Sequence, residues 1–197
     1  GMTSGLARLG IASIGLGTLT GAITGAARAS MEAERVGAQL NAVLRSTGGL
    51  AGVTAEQANN LADALSRVTP FEDEAILSAE NLLLTFTKIG RDIFLQATEA
   101  VLDLSFVLGQ DLKSSAIQLG KALNDPIAGV TALRRVGIQL SEQQSELIHK
   151  LVRAGDVMGA QKVILRELEV QTGNSARAAG ETFGGQLTIL GTKLGNV

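Results

Sequence analysis

Apolar residues recur every three or four positions between about residue 48 and residue 173, in runs separated by glycine, proline or capping residues. This spacing puts the apolar side chains of each run on one face of a helix, so the region predicts a series of amphipathic helices with short connections. The expected core-facing positions are Ala58, Leu61, Ala62, Leu65; Ile76, Ala79, Leu82, Leu83, Phe86; Phe94, Ala97, Val101, Leu104, Leu108; Leu112, Ala116, Leu119, Leu123; Leu147, Ile148, Leu151; and Ala160, Ile164, Leu168.

Two pairs of residues have the spacing of a capping box, in which each side chain accepts the backbone N–H of the other residue. Thr54 with Gln57 predicts one helix start, and Ser141 with Gln144 predicts another. Single aspartates at 111 and 156 precede two further helical runs, and we expect each to cap the helix that follows.

Thr69 is expected to cap the helix that carries Ile76, with Pro70 in its first position. The acidic run 72–74 would then lie in the first turn, where the helix dipole favours negative charge. This explanation is structural, so we assign the acidic run no metal-binding or acid–base role.

The N-terminal segment contains no charged residue from position 9 to position 27, a length close to that of a bilayer-spanning helix. Its many glycine and threonine residues make it less hydrophobic than a leucine-rich membrane span. Gly17, Gly21, Gly25 and Ala29 recur every four residues and form one stripe of small side chains, which lets another helix approach closely. We therefore predict a helix-packing surface here, with membrane contact as the alternative.

The C-terminal residues continue an apolar stripe through Leu187, Leu190 and Leu194, with no helix stop before residue 197. We expect these leucines to contribute to the same kind of helix-packing interface, and the helix to continue into a longer chain. The predicted organisation is a Gly/Ala-rich N-terminal segment, 1–47, a compact helical domain, 48–173, and a C-terminal helix, 174–197.

The composition supports an all-α fold. Apolar residues make up 45% of the chain, but there are only five Phe, no Tyr and no Trp, so a core must be built from aliphatic side chains. We predict a multi-helix bundle or helical-hairpin array of about eight helices, preceded by the Gly/Ala-rich helix.

The same residues offer little for chemistry. The chain has no Cys and a single His, which excludes disulfides, thiolate metal sites and a histidine metal cluster. His149 lies on a predicted helix flank without an identifiable partner, and Arg134 with Arg135 lies at a helix end, where cations are favoured for structural reasons. The carboxyl pairs Glu167 with Glu169 and Asp103 with Asp111 are not placed to act together. We predict no catalytic, cofactor or metal site.

The run from Leu119 to Pro126 reads as a helix end, a turn and a new helix start. Asn124 and Asp125 can hydrogen-bond to the backbone of a turn, and Pro126 suits the first position of a helix. This run resembles the helical region of phage and prophage tail tape measure proteins, and the resemblance extends over roughly residues 48 to 194. Further segments that carry it are 69–71, 82–86, 133–138 and 160–165.

The resemblance implies a structural module that helps to determine tail length and to assemble the tail. It implies self-association, contacts with tail-tube protein and tail-assembly chaperones, and a place in the virion tail after assembly in the host cytoplasm. The net charge of −2 predicts no direct nucleic-acid binding. The alternative function is a membrane-active helical component used in genome ejection or pore formation, in which residues 9–27 would meet the host membrane.

Overall fold

The computed structural model describes residues 27, 28 and 30–195, and for residues 183 and 191–195 it describes the backbone alone. These residues form helices joined by turns, with no strand among them, so the predicted all-α fold class is confirmed. The helices are α1 (30–46), α2 (Ala55–Ser66), α3 (Asp73–Leu83), α4 (Arg91–Leu108), α5 (Leu112–Asn124), α6 (Pro126–Arg135), α7 (Glu142–Arg153), α8 (Val157–Thr172), α9 (Ser175–Glu181) and α10 (Phe183–Gly195).

Both predicted capping boxes are present. The Thr54 hydroxyl accepts the Gln57 N–H at 3.1 Å, and the Gln57 side chain accepts the Thr54 N–H at 3.0 Å. Ser141 and Gln144 form the same reciprocal pair at the start of α7. The side chains that cap α5, α6 and α8 are Asp111, Asp125 and Asp156.

The predicted cap at Thr69 is wrong. Helix α3 begins only at Asp73, with Glu72 as its N-cap and no capping side chain. The Thr69 hydroxyl instead donates to the Leu65 carbonyl at 2.8 Å, because Thr69 is buried at the end of the preceding helix and completes that helix. The acidic residues Asp73 and Glu74 do lie in the first turn of α3, as expected.

Helix α3 packs against α2, α4 and α5, and seven of its eleven residues are buried. Ile76, Ala79 and Leu83 lie in the core as predicted, whereas Phe86 follows the end of the helix and is partly buried. Most of the α3 surface is therefore covered by neighbouring helices, as expected for a helix that is apolar around much of its circumference.

Helix α4 carries the second large part of the core and packs against α3, α5, α8 and α9. Its predicted stripe from Phe94 to Leu104 is buried. Gly109 ends the helix with φ of 61°, a left-handed conformation that glycine adopts without the steric cost of a side chain.

The predicted C-terminal helix is two helices in the structure. Thr182 interrupts it in an extended conformation, and its hydroxyl accepts the Gly185 N–H at 3.1 Å. The interruption lets α10 fold back closely on α9: a Cβ atom at Gly185 would lie 2.1 Å from the Ala179 carbonyl oxygen.

One hydrophobic core extends from Val36 and Leu40 of α1 to Ala176 of α9. The division at residues 47 and 173 remains a prediction. Within the described part of the chain, no helix is both long enough and apolar enough to cross a membrane.

Candidate functional site

The α5–α6 corner, which contains the Leu119 to Pro126 run, is held together by close packing. The face predicted for α5, namely Leu112, Ala116, Leu119 and Leu123, is buried. A Cβ atom at Gly120 would lie 2.2 Å from Cε2 of Phe86, and one at Gly129 would lie 2.5 Å from the Ala122 carbonyl oxygen. Gly129 therefore allows two helix backbones to approach closely and Gly120 makes room for the Phe86 ring, so the corner is a packing motif.

A buried glutamine on α8 fastens this corner to the turn after α3. The Gln161 side chain donates to the carbonyl oxygens of Lys88, at 2.8 Å, and Leu123, at 2.9 Å. Asn124 adds a second link, because its side-chain oxygen accepts the Lys88 N–H at 3.3 Å. Sequence reasoning did not single out Gln161, since its two partners lie 73 and 38 residues away along the chain.

The predicted helix-packing interface is only partly within the described residues. Gly17, Gly21, Gly25 and Ala29 lie outside them, and the side chain of Leu194 is not described. The side chains of Leu187 and Leu190 are each 53% exposed on α10, while Ile189 between them is buried. Helix α10 therefore presents two leucines on a side that its neighbour α9 does not cover.

A polar groove of about 780 Å³ lies between α4, α8 and α9. Its charged lining residues are Glu99, Asp103, Glu169, Lys162, Arg166 and Arg177. The volume falls in the range of ligand sites, but most such sites are more apolar than this one.

The acidic residues on α4 are used to hold α9. The Asp103 carboxylate accepts the backbone N–H groups of Asn174, at 3.0 Å, and Ala176, at 2.9 Å. Burial raises the pKa of Asp103, although these two hydrogen bonds act in the opposite direction. Glu99 forms an ion pair with Arg177 of α9 at 2.6 Å. The groove is thus the seam along which α9 is attached to α4.

Two of the remaining candidates from the sequence, Glu167 and Arg134, make contacts within the fold. The Glu167 carboxylate accepts hydrogen bonds from the side chains of Gln144 and Gln171, the second at 2.6 Å. The Arg134 guanidinium donates to the Leu140 carbonyl oxygen at 3.5 Å. His149 is partly buried on α7. No group of three or more His, Asp or Glu residues in the described ranges is placed to hold a metal ion.

Glu80, in the middle of α3, is the most unusual polar residue and was missed by sequence reasoning. Its relative exposure is 0%, and neither carboxyl oxygen has a hydrogen-bond partner among the described residues. Burial raises the pKa of Glu80 to about 9, so the side chain is neutral at physiological pH. The adjacent Asn81 donates to the Val36 carbonyl of α1 at 3.2 Å, but its own side-chain oxygen is buried and unpaired. A signal was present: an acidic residue inside a helix that is apolar on nearly all sides has no face that reaches water.

These features define a structural helical module, in which most of the notable polar side chains cap helices or fasten one helix to another. A family model described as "Prophage tail length tape measure protein" matches residues 1–149 of the 197-residue chain. The chain therefore belongs to this family of structural phage tail proteins, which confirms the resemblance and gives it a role in tail length and a place in the virion tail. No curated protein and no solved structure significantly matches the chain.

Proposed function

We propose that this chain is a folded module of a tape measure protein that takes part in tail assembly by binding other copies of itself. Tail-tube protein and tail-assembly chaperones are its further partners, and it assembles with them in the host cytoplasm. The proposal assigns the module no catalytic activity. The observation that supports self-association most directly is the apolar surface of α10.

Within the described part of the chain, the main packing partner of α10 is α9. Ile189 is 7% exposed, and the Gln186 side chain donates to the Gly180 carbonyl at 2.9 Å. Leu187 and Leu190 are three residues apart, so they share the opposite, exposed face. A symmetric contact would place the same face of two copies together and bury four leucine side chains, which water otherwise surrounds.

The test is the mass of the chain in solution, measured by sedimentation velocity. The double variant Leu187→Glu, Leu190→Glu places charges on α10, and we expect it to be monomeric at concentrations where the wild-type chain is a defined oligomer. The matched control is Leu95→Glu, Val170→Glu, because these side chains on α4 and α8 are also well exposed, at 50% and 73%. Circular dichroism shows whether each variant remains helical.

Self-association through α10 is ruled out if the wild-type chain is monomeric, or if the control variant dissociates to the same extent. If the α10 variant remains oligomeric but a chain without residues 1–29 is monomeric, the contact between copies lies instead at the N-terminal stripe of small residues, Gly17, Gly21, Gly25 and Ala29.

The membrane-active alternative rests on the uncharged residues 9–27, which lie outside the described part of the chain. Flotation with anionic liposomes, with and without residues 1–29, separates it from the structural proposal. We expect both chains to stay in the dense fraction, and flotation that requires residues 1–29 would favour the alternative.

A further inference from the structure

The buried residues Glu80 and Asn81, here called the α3 polar pair, leave three oxygen atoms without a hydrogen-bond donor in the described part of the protein. An unpaired polar atom loses its water without gaining a partner, and this disfavours the closed core. The cost is larger if the carboxyl group is charged, so the closed state holds Glu80 in its protonated form.

Water can reach Glu80 only if an element packed on α3 moves, because Glu80 is 0% exposed. Among the described residues, α1 contributes the fewest buried side chains of these elements: Val36 and Leu40 are buried, and Val43 and Leu44 are partly buried against the core. Helix α2 contributes three buried residues, α4 eight and α5 seven. In the ranges that the structure describes, one side-chain hydrogen bond, from Asn81 to the Val36 carbonyl, joins α1 to α3.

The connection after α1 suits movement of that helix alone. Gly48 and Gly49 follow it after Thr47, both with positive φ, whereas Ala51 and Val53 are buried and keep the start of α2 in place. Backbone rotation at the two glycines would let α1 leave while α2 to α9 stay packed.

No charged side chain offsets the burial of Glu80, since desolvation is the cause of its raised pKa. The charged residues of the helices around it are exposed or partly exposed to solvent: Glu32, Glu34, Arg35 and Arg45 on α1; Glu56 and Asp63 on α2; Asp73 and Glu74 at the start of α3; Arg91, Asp92, Glu99 and Asp103 on α4; and Lys113 and Lys121 on α5. One oxygen of Asp73 is buried without a partner among the described residues, and burial raises the pKa of Glu74 to about 7, so Glu74 titrates in the same pH range.

We propose that α1 is a releasable latch over the α3 polar pair, which undocks as a unit when Glu80 loses its proton. The proton on Glu80 passes to water, and the carboxylate becomes hydrated in the open state. Such a latch would let a length-setting protein lengthen this module at its N-terminal side without unfolding the rest of its core.

The latch has a defined pH dependence. Once hydrated, Glu80 should titrate near its ordinary value of 4.5, while in the closed state its pKa is about 9. The opening equilibrium should therefore rise about tenfold per pH unit between these values, and become level above the upper one.

The absence of cysteine from the chain allows a direct test with single thiols. Val36→Cys on α1 reports release of the latch, and Val101→Cys on α4 is the matched control, because both valines are 0% exposed. The rate of labelling by a thiol reagent is measured from pH 6 to pH 9 and divided by the rate for the same variant in denaturant, which removes the titration of the thiol itself. Each measurement is repeated with Glu80→Gln and with Glu80→Met.

We expect Val36→Cys to react faster than Val101→Cys at every pH, with a normalised rate that rises about a hundredfold from pH 6 to pH 8. Both substitutions of Glu80 should abolish that rise while circular dichroism shows that the chain stays helical. Equal normalised rates at the two sites would mean that only global unfolding exposes α1. A fast but pH-independent rate at Val36→Cys would mean that α1 opens without Glu80, and either result overturns the proposal.

Discussion

The buried carboxyl group of Glu80 makes the stability of the whole fold depend on pH. Its pKa is about 9 when folded and near 4.5 when exposed, so the folded chain keeps a proton that the unfolded chain releases. The free energy of unfolding is therefore highest below the lower value and falls as pH rises toward the upper one. We expect Glu80→Gln to make this slope much shallower and to stabilise the fold at pH 7 by up to about 3 kcal/mol. A smaller slope should remain at and below about pH 7, because burial also raises the pKa of Glu74, to about 7, and that of Asp103.

Denaturant unfolding at a series of pH values measures this difference. Glu34→Gln is the control, because Glu34 lies on the exposed side of α1, and its substitution should leave the slope unchanged. A wild-type chain whose stability is constant between pH 5 and pH 8 would show that Glu80 is hydrated or paired in solution.

Substitution of three helical glycines by alanine should change the free energy of unfolding by different amounts, because their surroundings differ. Gly129→Ala would place Cβ 2.5 Å from a backbone oxygen that cannot move alone, whereas Gly120→Ala meets the ring of Phe86, which can rotate. At Gly37 a Cβ atom meets nothing within 4 Å. We expect the unfolding free energy to fall most for Gly129→Ala, by roughly 2–3 kcal/mol, and to rise by about 0.5–1 kcal/mol for Gly37→Ala.

Thermal or denaturant unfolding of the three variants ranks them by their free energies of unfolding. If Gly120→Ala is as damaging as Gly129→Ala, the Phe86 ring is fixed more firmly than its partial exposure indicates, and a smaller residue at position 86 should then restore stability.

Among the helices, α9 depends most clearly on contacts made from another element. It has seven residues and no cap from its own N-cap side chain, and the backbone N–H groups of its N-cap Asn174 and of Ala176 donate to Asp103 of α4. We expect Asp103→Ala to leave these groups unpaired and to raise amide hydrogen exchange in residues 174–181 at least tenfold, with smaller changes in α2 and α3.

Asp92→Ala is the matched control, because Asp92 is on the same helix but exposed at its other end. Equal exchange in α9 for both variants would show that the ion pair between Glu99 and Arg177 suffices to hold the helix.

Helix boundaries were predictable where their signal is local. The capping boxes at Thr54 and Ser141 and the turn at Pro126 depend on residues within a few positions of one another, and the structure shows each of them. Thr69 has the same local pattern, but its hydroxyl donates to the preceding Leu65 carbonyl because Thr69 is buried at the end of α2. Gln161 is defined by packing between distant segments, which a spacing pattern does not contain. Glu80 did carry a local signal, an acidic residue within a largely apolar helix, but the helices that cover it are distant in sequence.

On the scale of the whole molecule, the weak attachment of α1 predicts what happens when residues 1–47 are removed. The shortened chain loses the buried side chains of Val36 and Leu40, worth about 1.5–3 kcal/mol each, but keeps every contact among α2 to α9. We expect it to remain helical and to unfold cooperatively at a lower denaturant concentration. Because water then reaches the α3 polar pair, the decrease of its stability with rising pH should be smaller than in the full chain.

Circular dichroism and denaturant unfolding of both chains at pH 6 and pH 8 decide between three physical situations. A shortened chain that is folded and has a flatter pH dependence places α1 over Glu80 and supports a domain that begins near residue 48. A folded chain with the full pH dependence means that α2, α4 or α5 keeps Glu80 dry, and the latch is then wrong. A chain that fails to fold means that α1 belongs to the cooperative core, so the predicted boundary at residue 47 does not separate two units.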